Sequence, residues 1–147
     1  MTCCECGLPT VTTREDVPLE ALPSAVVQDA YVYTCKNGHR EIGIPHLAQI
    51  LRWIALRLIE KRNQLTGGEI RYLRKHLGFS SKEFAEFVSV KPETVSRWEG
   101  GTLSMSVAHE KNLRIAVRSG LDVLQYDIKP LRKAKPMPLA VNAQLVA

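Results

Sequence analysis

Three cysteines and one histidine within the first 40 residues have the spacing of a metal site. Cys3 and Cys6 form a Cys-x2-Cys pair, and Cys35 and His39 form a Cys-x3-His pair about thirty residues later. Three thiolates and one imidazole match the closed tetrahedral ligand set of a structural zinc ion. The sequence therefore predicts one structural Zn²⁺ held by these four residues, with Cys4 as a bystander.

Three other roles of this cysteine cluster stay open. The pairs could be redox-active, although no βαβ pattern surrounds them. The site could have degenerated and lost its metal, because the second pair lacks a second cysteine: Gly38 stands near where one could be, and His39 must then serve. A catalytic zinc would need an open position beside a general base, and none suggests itself. We expect that the protein is not an enzyme, because the sequence shows no nucleophile with a positioned base. His46, His76 and His109 are isolated from one another in the sequence.

A second set of chemistry-bearing residues lies in a predicted short helix from Lys91 to Glu99. Pro92 fits its first turn, and Val95 and Trp98 are spaced to face inward. The outer face then carries Glu93, Thr94, Ser96 and Arg97. Arginine can bind a guanine edge through two bonds, and serine or threonine can contact bases or phosphates. The run Gly100-Gly101-Thr102 would end the helix and offer exposed backbone N–H groups to a phosphate.

Capping signals and apolar spacing predict the helices that position this face. Thr66 with Glu69, and Ser80 with Glu83, stand at capping-box spacing. Ser106 is expected to cap a last helix that runs through Ser119. Apolar inner faces are expected at Ile70, Leu73 and Leu77, at Phe84, Ala85 and Val88, and at Leu113, Ala116 and Val117.

The stretch from Leu65 to Gly101 resembles the Xre/Cro-type helix-turn-helix family. The motifs are Leu73-Arg74-x-x-Leu77-Gly78-x-Ser80, Phe84-Ala85 and Thr94-Val95-Ser96-Arg97-Trp98-Glu99-x-Gly101. The resemblance implies that Ser81 touches DNA and that Lys91, Glu93, Thr94, Ser96 and Arg97 read or clamp it. Lys91 departs from the usual capping Ser or Thr, which loses about 1 kcal/mol and adds a candidate phosphate contact. Glu93 would read a cytosine amine or orient Arg97. The alternative is a helical bundle that binds no DNA.

The preceding residues predict a small β-rich unit and a connector helix. β-prone runs occur at 11–13, 25–27 and 31–34, interrupted by prolines. A helix from about His46 to Lys61 has an apolar face, widened by Trp53, that either packs on its own chain or contacts a second copy. The predicted fold is mainly α: a zinc-knuckle domain (1–45), a connector helix (46–64), an Xre-type helix-turn-helix bundle (65–120) and a flexible tail (121–147).

Charge is unevenly distributed along the 147 residues, whose net charge is +5. Residues 1–45 contain three basic and six acidic side chains, whereas residues 60–120 contain eleven basic and seven acidic ones. The basic half suits a polyanionic partner. No apolar run approaches the roughly 18 residues of a membrane span, and no secretory pattern begins the chain. We therefore expect no membrane association and a cytoplasmic location, where cysteines stay reduced.

The two halves together resemble the MqsA/YgiT-type zinc-finger/helix-turn-helix antitoxins. The resemblance rests on Cys3-x2-Cys6-Gly7, Tyr33-x-Cys35, Ile44-Pro45 and the helix-turn-helix motifs. It implies a zinc-stabilised half that binds a partner, and a half that dimerises, binds operator DNA and represses its own operon in the bacterial cytoplasm. Two functions stay open: a type II antitoxin with a cognate toxin, or a standalone regulator without one. Either is expected to bind a palindromic double-stranded operator as a homodimer, because one recognition helix reads only a few base pairs.

Overall fold

A computed structural model describes residues 1–120, which form a mixed α/β fold. A three-stranded antiparallel sheet is followed by five helices within these residues. The elements are β1 (Thr10–Leu19), β2 (Leu22–Cys35), β3 (Arg40–Gly43), α1 (Leu47–Glu60), α2 (Gly67–His76), α3 (Ser81–Phe87), α4 (Pro92–Glu99) and α5 (Val107–Ser119). The predicted tail, 121–147, lies outside the described residues. The expectation of a mainly α fold is wrong, because the N-terminal strands are much longer than predicted.

The sheet is a long β1–β2 hairpin with the short strand β3 on the other side of β2. Pro18 does not interrupt β1, because β1 is an edge strand and its register shifts on both sides of Val17 and Pro18; proline is tolerated at edges and bulges. Side chains alternate along β2: Ala30 and Val32 are buried, while Tyr31 and Tyr33 lie on the opposite face. Strand alternation thus extends further than the β-prone runs indicated.

One large buried cluster joins the helices to the tip of the hairpin. Leu19 and Leu22, which pair at the turn between β1 and β2, are 6% and 5% exposed and belong to this cluster. Its helical members include Ile54, Ala55, Ile70, Leu73, Phe84, Val95, Trp98 and Leu113. A smaller cluster of Val17, Ala30 and Val32 lies within the sheet, and Val27 packs against both. The hairpin and the helices therefore share hydrophobic contacts.

The predicted helix starts are confirmed. Thr66 with Glu69 and Ser80 with Glu83 form complete capping boxes, and the Ser106 side chain accepts the His109 N–H. These bonds satisfy N–H groups that the first turn of a helix leaves free. Ser89 makes the tight turn between α3 and α4 with a positive φ of 57°.

Helix α1 packs on α2 and α5 through one face. Ile54, Ala55 and Ile59 are buried, whereas Trp53 is 58% exposed with the Arg57 guanidinium 5.1 Å from its ring. The first of the two roles predicted for this helix, packing on its own chain, is therefore present. Among residues 1–120, no helix is both long and apolar enough to cross a membrane.

Candidate nucleic-acid interface and metal centre

Helix α4 presents a polar face because its apolar residues hold the other face in the core. Val95 is fully buried and Trp98 is 3% exposed, which confirms the predicted inward pair. Ser96 and Arg97 are exposed between them, and Thr94 is half-buried. Glu93 is exposed at the start of the helix, and within residues 1–120 no hydrogen bond joins it to Arg97. A rigid helix therefore offers hydroxyl, carboxylate and guanidinium groups to solvent.

The other predicted DNA contacts lie at helix ends near α4 in the sequence. Lys91 is exposed at the N-cap of α4, where among the described residues no side chain supplies a capping hydrogen bond. Ser81 is half-buried as the first residue of α3. Thr102 is exposed in the turn after α4. Lys91 cannot make the capping bond that serine or threonine would accept, because its ammonium group only donates hydrogen bonds.

The predicted use of the Gly100-Gly101-Thr102 backbone is wrong. The N–H groups of Gly100, Gly101 and Thr102 donate to the carbonyl oxygens of Ser96, Trp98 and Arg97, at 2.9, 3.2 and 3.0 Å. These bonds satisfy the last carbonyls of α4, which a helix end leaves without partners. The turn therefore fixes the end of the helix rather than offering free N–H groups to a phosphate.

A buried ion pair that the sequence analysis missed joins α2 to the end of α4. Arg74 Nε lies 2.5 Å from Glu99 Oε1, and a second bond of 3.1 Å makes the contact bidentate. Arg74 also donates to the Phe79 carbonyl oxygen at 2.8 Å and is 7% exposed. A signal was present: Arg74 lies four residues after Ile70, on the apolar side of α2. A charge at such a position needs a buried partner.

The four predicted metal ligands come together at the base of the hairpin. One donor atom from each of Cys3, Cys6, Cys35 and His39 lies within 4.8 Å of all the others. Cys6 Sγ to Cys35 Sγ and Cys3 Sγ to His39 Nδ1 are both 3.6 Å. A tetrahedral site with Zn–S bonds of about 2.3 Å has sulfur–sulfur distances of about 3.8 Å. The donor set and its spacing therefore fit a single metal ion.

Backbone N–H groups in the turns at 3–8 and 35–39 influence the pKa values of the Cys6 and Cys35 thiols. Burial is the largest influence on Cys35 and raises its pKa, but N–H groups of Asn37 and His39 and the Cys6 thiol outweigh it, so the pKa is lowered. The backbone N–H of Leu8 has the largest effect on Cys6 and lowers its pKa, but burial and the neighbouring thiols raise it overall. Hydrogen bonds of this kind favour thiolate, the form that binds metal.

Two acidic residues, Glu5 and Glu41, contact residues in and around the cluster of four donors. Glu5 lies 3.3 Å from His39 Nε2, which orients the ring so that Nδ1 faces Cys3; such outer partners are usual for metal-binding histidine. Glu41 accepts the Cys4 N–H at 2.8 Å. Cys4 is exposed and is not one of the four clustered donors.

Comparison with known proteins gives a match within the helical half. Residues 70–108 match the family model described as "Helix-turn-helix". The matched span runs from α2 to the start of α5 and contains all of α3 and α4. No curated protein matches the sequence closely. The match supports a DNA-binding transcriptional regulator of the Xre type, and the cysteine and histidine cluster can bind a metal ion.

Proposed function

We propose that the chain is a cytoplasmic, sequence-specific transcriptional regulator, rather than an enzyme, and that it represses its own operon as a type II antitoxin. The observation that carries the DNA-binding part is α4: Val95 and Trp98 fix it to the core, and Arg97 and Ser96 are exposed on a helix within the family match. An exposed recognition helix on a rigid support is what major-groove reading requires.

In this proposal the residues on and around α4 make different contacts with DNA. Arg97 binds a guanine edge through two hydrogen bonds, while Ser96 and Thr94 contact neighbouring bases or phosphates. Lys91 contacts a phosphate from the N-cap, and Ser81 and Thr102 contact the backbone on either side. Glu93 accepts a hydrogen bond from a cytosine amine, because its free carboxylate would be repelled by phosphate.

The protein binds as a homodimer in this proposal. Two recognition helices separated by about 34 Å would read both halves of a palindromic operator. The test is footprinting of the full-length protein on the DNA directly upstream of its own reading frame. Protection of two half-sites about one helical turn apart is expected, and loss of protection in Arg97→Ala. Identical footprints from both proteins would contradict the assignment of α4.

Zn²⁺ is the metal that we propose for Cys3, Cys6, Cys35 and His39. When bound, it supplies a structural cross-link between the two turns. The closed set of three sulfurs and one nitrogen favours this ion over Ca²⁺ or Mg²⁺, which prefer oxygen ligands. Metal analysis of protein purified without chelator should find close to one zinc per chain.

The antitoxin role is supported by the acidity of residues 1–45, which suits a basic protein partner such as an RNA-cleaving toxin. The test is induction of the adjacent reading frame alone and then together with this chain. Growth arrest that co-expression rescues supports an antitoxin. Normal growth in both cases leaves the second candidate, a standalone Xre-type regulator whose zinc site serves the chain itself.

A further inference from the structure

The tip of the β1–β2 hairpin is part of the core that supports α4. Leu19 and Leu22 are almost fully buried in the cluster that also contains Val95 and Trp98. A residue of β2, Val27, packs against both this cluster and the smaller cluster of the sheet. Removal of the hairpin tip would therefore open the core of the DNA-binding helices.

The metal centre lies at the other end of the same hairpin. Cys35 is the last residue of β2 and pairs with Thr10, the first residue of β1. The 14 residues of β2 span about 45 Å in extended geometry. Binding of a metal therefore fixes one end of two strands whose opposite end is inserted among the helices.

Between these two ends the sheet has little core of its own. Its buried cluster in the described residues consists of Val17, Ala30 and Val32, while Val11 and Ile42 are 69% and 51% exposed. Small β-structures with so little buried surface are marginal without additional contacts. Pairing of the strands thus depends on the metal ligands at one end and on the helices at the other.

Helix α1, which follows the sheet, is itself held against the other helices by Arg114. Arg114 on α5 uses all five guanidinium N–H groups: three bond the carbonyl oxygens of Ile59, Lys61 and Asn63, and two bond Glu110. Glu110 also accepts the Leu65 N–H at 3.3 Å. This Arg114 network holds the end of α1 and the segment that leads from α1 to α2 (residues 61–66) against α5.

We infer that metal binding by Cys3, Cys6, Cys35 and His39 is thermodynamically linked to DNA binding by α4, which makes the chain a metal-responsive DNA-binding protein. The inference rests on the proposed metal site and on the proposed DNA-binding function. Loss of the metal frees the base of the hairpin, weakens strand pairing towards the tip and lets Leu19 and Leu22 leave the helical core. Linkage is reciprocal, so bound DNA raises the affinity for metal by the same factor.

The first test follows hydrogen exchange in the metal-free full-length chain as Zn²⁺ alone is added. We expect slower exchange both in residues 1–45 and in α2 and α4, by a factor of up to one plus the ratio of the free Zn²⁺ concentration to its Kd, the stabilisation that a bound ligand gives the folded state. Protection confined to residues 1–45 would overturn the linkage and leave the metal site standing. If zinc does not bind, the metal site and the linkage both fall, and the DNA-binding proposal is untouched.

The second test asks whether the hairpin tip transmits the effect. Leu22→Ala shortens a buried side chain of β2, and Val26→Ala shortens one that is 57% exposed on the same strand. Both variants should bind zinc, because the ligands lie at the far end of β2. Zinc should increase affinity for a duplex carrying the upstream promoter 5- to 150-fold in wild type and Val26→Ala, and much less in Leu22→Ala. Equal responses of the two variants would overturn transmission through the tip.

Discussion

Gly67, the first residue of α2, lies directly against the carbonyl oxygen of Trp98 near the end of α4. A Cβ atom at Gly67 would be 2.7 Å from that oxygen and closer still to the backbone carbonyl oxygen of Glu99. At neighbouring Gly68, a Cβ would meet no atom of the described chain within 4 Å. Gly67 is therefore required for the close approach of α2 to α4, whereas Gly68 is not.

We predict that Gly67→Ala displaces the end of α4 and destabilises the fold by about 1–3 kcal/mol, the usual effect of overpacking. Gly68→Ala should be neutral or stabilising by up to about 1 kcal/mol, because alanine favours helix. Urea unfolding measures stability, and fluorescence anisotropy on the upstream promoter measures DNA affinity. Equal losses in the two variants would contradict the close approach of α2 to α4.

Arg97→Ala should weaken specific DNA binding by about 1–3 kcal/mol, the value of a good base contact. The fold should be unchanged, because Arg97 is exposed and its backbone carbonyl still accepts the Thr102 N–H. Anisotropy titrations with operator and scrambled duplexes measure the loss. Arg118→Ala, exposed on α5, is the matched control; a similar loss there would point to general electrostatics.

Lys91→Ser should stabilise the protein and weaken DNA binding at once. Serine at this N-cap can accept an N–H of the first turn, which is worth about 1 kcal/mol, whereas Lys91 forms no such bond in the described structure. Loss of a phosphate contact should reduce the salt slope of binding by about one. Thermal unfolding and anisotropy at several salt concentrations measure both effects; tighter DNA binding would exclude the phosphate contact.

Cys6→Ser should reduce bound zinc well below one ion per chain, because it removes one of four clustered ligands. Cys4→Ser should leave zinc content unchanged, because Cys4 is exposed outside the cluster. Metal analysis after gel filtration gives both values. A fall in zinc for Cys4→Ser as large as that for Cys6→Ser would mean that the ligand set is misassigned.

Arg114→Met should destabilise the fold by about 3 kcal/mol, because it leaves the Glu110 carboxylate, 7% exposed, without its charged partner. The carbonyl oxygens at the end of α1 also lose their donors. Arg118→Met, on the exposed face of the same helix, should change stability by less than about 0.5 kcal/mol. The midpoints of urea unfolding of the two variants measure this difference. Equal shifts would contradict a stabilising role of the Arg114 network.

Local signals in the sequence were sufficient to predict the helix starts and the buried faces of much of the helical half. Capping boxes at Thr66 and Ser80 depend on residues three positions apart, so spacing alone predicted them correctly. The inward pair of α4, Val95 and Trp98, follows from helical periodicity in the same way. The spacing of Cys3, Cys6, Cys35 and His39 also predicted that their donor atoms cluster, as they do in the structure.

Long-range contacts were missed because they leave no local pattern. Arg114 meets carbonyl oxygens more than 50 positions earlier in the chain, and any exposed arginine would look the same in sequence. The length of β2 was underestimated because Pro23, Ser24, Gln28 and Asp29 interrupt its β-prone residues, yet pairing with β1 extends the strand across them. Insertion of Leu19 and Leu22 among the helices depends on surfaces that only the folded chain creates.

The Arg114 network also bears on proteolysis of the folded protein between α1 and α2. Lys61 and Arg62 together form an inviting sequence for trypsin, and Arg62 is exposed. Cleavage requires the backbone to leave its folded position and enter the protease, yet the Lys61 and Asn63 carbonyl oxygens are held by Arg114. Because loops are cut from locally opened states, the rate of tryptic cleavage at this dibasic sequence measures how often α5 releases the connector.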